Sequence, residues 1–312
     1  MRLYYTAWSN NFGDALNAWL WDRLLGPDLR TAAPDDVFIG IGSMLNHRVP
    51  ARPSKYVFGT GVGYGHVPVP DDTWHVGCVR GPLSARALGL DPDAAVTDSA
   101  LLVVDAVDPT PPPRLGVSYI AHCRGHLVAP WAKIAEAAGM SYICPFLDSR
   151  AVIDRIRRSE LLVTEALHGA IIADAFDVPW IPVRCYPWVK RFKWRDWHAS
   201  MGLDYRPHRL PPVLPGPRIA RALAKRLTRL PHERRLDPAR RTPLYDAPYR
   251  LLSPSAHRLY RRRIDAVARR LEHIRTHARP MLASPDVRRQ RLDELRRRLD
   301  RFRTTWLAPP SG

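Results

Sequence analysis

Short apolar runs alternate with amphipathic stretches along the first 200 residues of this chain. Such alternation is typical of an α/β protein with mainly parallel strands. The pattern predicts strands at residues 3–7, 37–41, 56–58, 76–79, 115–120, 141–144, 161–164 and 180–183. It predicts helices at residues 83–88, 131–138, 150–157 and 170–176, and a further helix capped by Asp14 with an apolar face of Leu16, Trp19, Leu20 and Leu24.

A proline-rich segment divides this pattern. Pro111, Pro112 and Pro113 are consecutive, and such a run fits neither a helix nor a central strand. Because the strand and helix pattern resumes after it, the sequence predicts two Rossmann-like domains that face one cleft. The predicted boundaries are 1–108 for the N-terminal domain, 109–114 for the linker, 115–212 for the C-terminal domain and 213–312 for a helical extension.

The extension carries three apolar stripes with helical spacing. The first contains Ile219, Leu223, Leu227 and Leu230. The second contains Tyr260, Ile264, Val267, Leu271 and Ile274, and the third contains Leu292, Leu295, Leu299 and Phe302. We expect the last two helices to form an antiparallel pair with a thin apolar seam and arginine-rich outer faces.

The formal net charge of +18 is carried by residues 201–312, which include this extension. Residues 1–200 hold 20 Lys and Arg against 20 Asp and Glu, whereas residues 201–312 hold 28 against 10. Such asymmetry is typical of a basic appendage that contacts phosphates, acidic polymers or anionic lipid. The apolar content of 46% excludes a wholly disordered chain. The four widely spaced cysteines and the absence of a signal-peptide pattern predict a cytoplasmic protein with reduced thiols.

The most informative segment begins where the predicted strand at residues 161–164 ends. Glu165 and His168 follow it, and Gly169 allows a ligand to approach the backbone. Ligands bind beyond the carboxyl ends of strands in open parallel sheets. His168 can donate a proton or bind a phosphate oxygen there, with Glu165 holding it protonated. The alternative is a helix-capping histidine beside a surface glutamate.

Other predicted strands also end in polar residues. Arg80 follows the strand at 76–79 and can grip a carboxylate or a phosphate, although a solvent-exposed arginine in a tight turn is the alternative. Asn11 and Asp14 follow the first strand, where Asp14 is at least a helix cap. His122 follows the strand at 115–120. The sequence predicts no metal site.

Two further motifs are less specific. The glycine-rich residues 59–65 resemble a dinucleotide fingerprint, but no helix pattern follows them, so the sequence predicts no NAD site. Residues 188–197 interleave three tryptophans with four cations. This segment can stack sugar rings, stack nucleic-acid bases or dock the two domains against each other.

Together these residues resemble the polysaccharide pyruvyltransferase family, specifically its succinoglycan-type ketal pyruvyltransferases, over about the first 210 residues. The resemblance is carried by Asn11-Phe12-Gly13-Asp14, Gly40-Ile41-Gly42-Ser43, Gly59-Thr60-Gly61, Val79-Arg80-Gly81-Pro82-Leu83-Ser84, Asp98-Ser99-Ala100, Glu165-Ala166-Leu167-His168-Gly169-Ala170-Ile171-Ile172-Ala173-Asp174, Val178-Pro179-Trp180 and Lys193-Trp194-Arg195-Asp196-Trp197.

The resemblance implies a GT-B-like pair of domains and a reaction that moves the enolpyruvyl group of phosphoenolpyruvate onto two sugar hydroxyls as a cyclic ketal. Phosphoenolpyruvate is a co-substrate, and no cofactor is expected. The implied catalytic residues are His168, Glu165 and Asp14. Several relatives have an arginine where this chain has Ala166, so Arg184, Lys190 or Arg191 is a candidate replacement. The predicted substrate-binding residues are Arg80, Asn11, Gly42, Ser43, Gly61, His122, Gly169, Arg184, Lys193 and Trp194.

Two other functions remain open at this point. A GT-B glycosyltransferase that uses a nucleotide sugar has the same predicted architecture. A polyanion or nucleic-acid binder would use the basic extension, but no RNP-like or helix-turn-helix signature appears, so no specific nucleic acid is expected. For residues 213–312 we expect contact with the anionic inner face of the plasma membrane, where a lipid-linked oligosaccharide acceptor would lie.

Overall fold

The computed structural model describes residues 1–9, 11–214, 216–229 and 254–307. Its first part builds one parallel sheet whose strands follow each other in chain order. The strands are β1 (Arg2–Leu3), β2 (Val37–Ile39), β3 (Lys55–Phe58) and β4 (Trp74–Cys78), and the helices are α1 (Phe12–Ala15), α2 (Leu20–Leu25), α3 (Asp28–Thr31) and α4 (Pro82–Leu88). Pro82 occupies the first turn of α4, where its missing N–H costs nothing.

The second part builds a five-stranded parallel sheet in the order β6-β5-β7-β8-β9. The strands are β5 (Val117–Ile120), β6 (Ser141–Tyr142), β7 (Leu161–Thr164), β8 (Trp180–Arg184) and β9 (His208–Arg209). The helices are α5 (Cys123–His126), α6 (Trp131–Ala137), α7 (Ser149–Arg157), α8 (Leu167–Ala175) and α9 (Arg191–Ser200). The order in which successive strands join the sheet reverses between β5 and β7, which are parallel, and ligands bind at such a switch point in open α/β sheets.

The two sheets share a hydrophobic core. One cluster of buried residues includes Phe38 and Phe58 of the first sheet and Leu162 and Ile181 of the second. A 3₁₀ segment, Ser99–Asp105, lies between them and packs against α8. The chain then runs through residues 109–114 without regular structure. The α/β class with parallel sheets is therefore confirmed, whereas the division into two domains stays a prediction.

The C-terminal extension is helical in its described residues, with α10 (Pro217–Leu227), α11 (Pro254–His277) and α12 (Pro285–Phe302). The expected antiparallel pairing of the last two helices is wrong. Helix α11 packs against α6, and α12 packs against β4 and the segment Ser99–Asp105. Phe302 makes edge contacts with Phe38, so the seam residues complete the core of the α/β body. The body offers far more apolar surface than a second arginine-rich helix does.

The apolar stripe of α10 also differs from the prediction. Ile219 is 68% exposed, whereas Ala220, Ala224 and Leu227 are buried. Leu230 lies outside the described residues. The helix is therefore rotated so that small residues face the body, which leaves a basic face with one large apolar side chain in solvent.

Many arginines of α12 bind the body. Arg296 forms an ion pair with Asp105 at 2.5 Å. Arg298 donates to the backbone carbonyl of Gly77 at 2.8 Å, and Arg288 lies 3.7 Å from the carboxylate of buried Asp174. Part of the charge predicted to face a partner is thus used internally. Among the described helices, none combines the length and the apolar character that crossing a membrane requires.

Two local predictions need correction. Asp14 does not cap a long helix: it lies inside the one-turn helix α1, whose N-cap position is Asn11. The segment of tryptophans and cations at residues 188–197, which we expect to be a loop after the strand at 180–183, lies largely in the helix α9, whose buried face carries two indoles. Helical spacing within residues 191–200 turns Trp194 and Trp197 to the same side, toward the core.

Candidate active site

His168 lies in the first turn of α8, directly after β7. The backbone of Gly13 packs against its ring so closely that a Cβ on Gly13 would lie 1.9 Å from His168 Nδ1. Nε2 of His168 is 3.9 Å from Oδ2 of Asp98, whose side chain is fully buried. Both atoms are buried, and neither has a hydrogen-bond partner among the described residues. Buried polar atoms normally have partners, so this pair marks a candidate site.

Burial sets the charges of this pair. Burial, and then the nearby Lys193 and Arg80 charges, lower the pKa of His168 to about 3. Burial raises the pKa of Asp98 to about 6, although the Arg80 guanidinium and the backbone N–H of Ala100 partly offset it. The imidazole is therefore neutral at pH 7 and faces a carboxylate, which is an arrangement that can accept and stabilise a proton.

Asp14 lies at the same edge and is held by neighbouring polar groups. Its Oδ2 accepts hydrogen bonds from Ser9 Oγ at 2.7 Å and from Asn11 Nδ2 at 3.4 Å. A Cβ on Gly42 would lie 3.7 Å from Asp14 Oδ1, and this glycine has a φ of +120°. Burial raises the pKa of Asp14, while the Ser9 hydrogen bond and the Lys193 charge oppose that rise. Asp14 and Asn11 thus lie at the same edge as His168.

Lys193 of α9 supplies positive charge to this edge. Its ammonium donates to Tyr64 Oη at 3.3 Å and lies 5.5 Å from the centre of the Tyr64 ring. Its charge acts on Asp14, Asp98, His122 and His168 alike. These side chains therefore lie within electrostatic range of one cation, although they come from distant parts of the chain.

Glu165 does not face His168, contrary to the predicted pairing. Its side chain is fully buried, and its carboxylate accepts from the backbone N–H of Cys185 at 2.6 Å and of His122 at 3.3 Å. Burial raises the pKa of Glu165 to about 7, with these two hydrogen bonds and the Arg184 charge opposing the rise. Glu165 therefore ties together the ends of β5, β7 and β8, and Asp98 occupies the place beside His168.

His122 and Arg184 lie next to this link. The imidazole of His122 accepts from the backbone N–H of Arg124 at 3.2 Å and so caps α5. Burial, and then the charges of Lys193 and Arg124, lower the pKa of His122 well below its ordinary value. Nε of Arg184 is buried and has no hydrogen-bond partner among the described residues. Of the three candidate replacements for the arginine missing at Ala166, Arg184 has this unpaired donor.

Arg80 is fully buried, so the alternative of a solvent-exposed arginine in a tight turn is wrong, and its guanidinium binds protein groups where an anion was expected. Its guanidinium donates to Asp196 Oδ2 at 3.0 Å, Ser43 Oγ at 2.8 Å and the carbonyl of Gly42 at 3.3 Å. A Cβ on Gly61 would lie 2.6 Å from its Cζ. Three segments, namely two loops and helix α9, thus converge on Arg80. Ser43 and Gly61 contact this arginine and not a ligand.

Two other predicted ligand contacts also belong to the packed interior. Trp194 is fully buried and stacks on Tyr205 with ring centres 5.2 Å apart, so its indole face is not available to a sugar. A Cβ on Gly169 would lie 2.9 Å from Thr164 Oγ1. This glycine therefore allows α8 to pack closely on β7. Both residue types are compatible with ligand binding, but Trp194 and Gly169 are buried and pack against other parts of the protein.

Asp98 and Tyr64 are the candidate site residues that sequence reasoning left out. Asp98 was named in the motif Asp98-Ser99-Ala100 but not as a site residue. Its other oxygen caps the 3₁₀ segment by accepting from the backbone N–H of Ala100 at 3.0 Å. Tyr64 was visible only as an aromatic residue among glycines. Within the described residues, no group of three or more His, Cys, Asp or Glu side chains is arranged to hold a metal ion.

Comparison with known proteins identifies the family of this chain. Residues 3–185 match the family described as polysaccharide pyruvyl transferase. This range contains His168, Asp98 and Asp14, and it covers more than half of the chain. The chain therefore belongs to the polysaccharide pyruvyl transferase family, and it is a transferase enzyme.

A curated relative supports the same assignment. The chain is 39% identical over 217 residues to the succinoglycan biosynthesis protein ExoV of Rhizobium meliloti (strain 1021), and the aligned part covers 67% of each protein. No solved structure matches the chain at a significant level. The resemblance predicted from the sequence motifs is thereby confirmed.

Proposed function

We propose that this enzyme transfers the enolpyruvyl group of phosphoenolpyruvate to two hydroxyls of a sugar and forms a cyclic pyruvate ketal in exopolysaccharide biosynthesis. The family assignment and the similarity to a succinoglycan biosynthesis protein support this function. The observation that carries it is the buried pair of His168 Nε2 and Asp98 Oδ2, 3.9 Å apart, beside Asp14 and Lys193.

The reaction needs one proton donor and one acceptor. The methylene carbon of the donor takes up a proton, and a sugar hydroxyl then forms a C–O bond to the middle carbon while it loses its proton. The phosphate leaves with its bridging oxygen. The second hydroxyl then closes the ketal and loses its proton, so that the products are the ketal and hydrogen phosphate.

We assign the proton transfers to His168 and Asp14. Phosphoenolpyruvate carries a carboxylate and a phosphate, and their negative charge beside His168 favours its protonated form. Asp98 stabilises the resulting imidazolium and orients the ring against Gly13. Asp14, whose pKa is raised by burial, accepts protons from the sugar hydroxyls.

We propose that Lys193 binds the negatively charged groups of the donor. Its positive charge already acts to lower the pKa of the titratable groups at this edge, Asp14, Asp98 and His168. Arg80 then acts as a positioning residue, since its guanidinium already binds Asp196, Ser43 and Gly42. Arg184 remains the candidate for a second cation, because its Nε is buried without a partner among the described residues.

The decisive experiment is phosphate release from phosphoenolpyruvate in the presence of synthetic and lipid-linked oligosaccharides, with mass spectrometry of the sugar product. We expect His168→Ala and Asp98→Asn each to lower kcat at least about 100-fold, because each removes part of the proton-transfer pair. Matched controls are His277→Ala and Asp204→Asn, which change exposed residues away from this edge.

Activity of His168→Ala close to wild type would remove this residue from the mechanism. Release of a nucleoside diphosphate from a sugar nucleotide, without phosphate release from phosphoenolpyruvate, would instead identify a glycosyltransferase. Circular dichroism of each variant separates loss of chemistry from loss of fold.

We further propose that the two parallel sheets form Rossmann-like domains in a GT-B-like arrangement, which the strand orders support.

We also propose a cytoplasmic enzyme that lies against the anionic inner face of the plasma membrane, where a lipid-linked acceptor is accessible. Helix α10 supports this proposal. Its exposed face carries the apolar side chain of Ile219 together with several cations, and the helix contains no acidic residue. The cations are Arg218, Arg221, Lys225, Arg226 and, just beyond the helix, Arg229. Each basic residue at such a surface contributes about 1 kcal/mol.

Vesicle flotation tests this location. We expect the protein to float with vesicles that contain phosphatidylglycerol and to remain behind with pure phosphatidylcholine vesicles. Replacing Arg221 and Lys225 with glutamine should weaken binding by about tenfold, whereas the same change at Arg86 on the opposite part of the chain should not. Equal binding to both vesicle types would contradict the proposal.

A further inference from the structure

A groove of about 380 Å³ lies away from the polar residues of the candidate active site. Its walls come from both parts of the chain. Trp19 and Arg23 line it from α2 and the segment before it, and Arg150 and Arg157 line it from α7. Val107, just before the proline-rich segment, contributes to its lining. A ligand of this size would contact both parts of the enzyme at once.

Three arginines give the groove a strongly positive character. Arg23 and Arg150 form no ion pair with a carboxylate of the described residues. Arg157 donates to the backbone carbonyls of Asp108 and Thr110 at 2.7 and 2.6 Å and forms no ion pair with a carboxylate of the described residues. Nε of Arg157 is also buried without a hydrogen-bond partner among these residues.

The acidic side chain of the groove does not neutralise these cations. Asp154 lines the groove, but it forms an ion pair with Arg158 at 2.8 Å. Three cations therefore face one carboxylate that already has a partner. Arginine favours carboxylate and phosphate oxygens because its planar donors bind two oxygens at once.

The rest of the lining is apolar and rigid. Nε1 of Trp19 donates to Ser149 Oγ at 2.8 Å, which fixes the indole plane. The guanidinium of Arg150 lies 4.8 Å from the centre of that ring. Ile153, which is buried, and Val107 complete the apolar part of the lining. An indole beside aliphatic groups suits the apolar face of a sugar ring, and the arginines suit its acidic substituents.

We propose that this groove binds an acidic saccharide, namely a carboxylate-bearing segment of the polysaccharide acceptor remote from the sugar that reacts. The proposal rests on the proposed function only in identifying the saccharide as part of the acceptor. Contact with both parts of the enzyme would hold a long acceptor in a fixed direction across the molecule. The groove then selects acidic chains over neutral ones before any chemistry occurs.

Calorimetric binding without phosphoenolpyruvate tests this site directly. The probes are a tetrasaccharide that contains glucuronic acid, maltotetraose and inorganic pyrophosphate. We expect the acidic tetrasaccharide to bind at least about tenfold more tightly than maltotetraose, and its affinity to fall with added salt. Arg23→Ala and Arg150→Ala should each raise its Kd at least about fivefold. Arg155→Ala is the matched control, because Arg155 is exposed on the same helix but does not line the groove.

Three results would overturn the proposal. Equal affinity for the acidic and the neutral tetrasaccharide would exclude selection by charge. Unchanged binding in Arg23→Ala and Arg150→Ala would place the saccharide elsewhere. Pyrophosphate that binds as tightly as the acidic tetrasaccharide, and loses affinity in the same variants, would identify a simple anion site. Because no donor is present, these results do not depend on whether phosphoenolpyruvate is the co-substrate.

Discussion

Replacing Asp196 with alanine removes the centre of a buried polar cluster between the two parts of the chain. Its carboxylate accepts from Arg80 Nε at 3.0 Å and from the backbone N–H groups of Leu83 and Ser84, each at 2.9 Å. Both charged side chains are fully buried. The carboxylate therefore caps α4 from α9 and compensates the charge of Arg80 at the same time.

The expected loss of stability follows from these contacts. Removing one partner of a buried ion pair costs about 3–5 kcal/mol, because the other charge stays in the interior. The two N–H groups at the start of α4 would lose their acceptor, at about 1–3 kcal/mol for a buried group. These costs overlap, because water can enter the space that the side chain leaves. We expect Asp196→Ala to lower the free energy of unfolding by about 4 kcal/mol or more.

Urea denaturation followed by tryptophan fluorescence measures this loss. Arg80→Met should cost less than Asp196→Ala, since Asp196 keeps its N–H and hydroxyl donors when the arginine is removed. Asp204→Ala is the surface control, because Asp204 and Arg206 are 80% and 84% exposed and should contribute less than about 0.5 kcal/mol. A loss below about 1.5 kcal/mol for Asp196→Ala would refute the reasoning.

Two further predictions concern the site itself. Gly13→Ala places a Cβ 1.9 Å from His168 Nδ1, so the imidazole ring must move. We expect kcat to fall about 100-fold while the fold is retained. Unchanged kinetics would show that the position of the ring is unimportant. Glu165→Gln tests titration, because burial raises the pKa of Glu165 from 4.5 to about 7. The folded protein then binds more protons than the unfolded chain between these values, so wild-type stability should fall as pH rises from 4.5 to 7 relative to this variant. Parallel stability curves for the two proteins, measured by denaturation at several pH values, would contradict this assignment.

The strand and helix pattern of the first 200 residues was predictable because each element carries its own signal. The strand at residues 161–164 is found as predicted, since three apolar residues and a β-branched threonine, bounded by polar residues, suit a buried parallel strand. The helix that starts at Pro82 was also predictable from its proline. In contrast, residues 16–25 carry a helical repeat, but a 3₁₀ segment interrupts them.

The site was predictable only in part. Strand ends located His168 and Asp14 near one edge, because parallel strands bring their carboxyl ends together, whereas Lys193 was named only from the resemblance and lies in α9. The partner of each side chain was not predictable. Glu165 is three residues from His168, yet its carboxylate binds backbone N–H groups of two other strand ends, while Asp98 lies beside the imidazole from 70 positions away along the chain.

The sequence by itself therefore determined the α/β class, the family and the edge of the sheets where the site lies, because apolar periodicity and short motifs are local properties. Only the tertiary structure decided which polar groups are buried together. It made Arg80 an internal ion-pair partner and Trp194 a core residue, and it bound the arginines of α12 to the body. Burial and charge pairing depend on residues that are distant along the chain, and these two quantities decide whether a polar side chain serves the fold or the reaction.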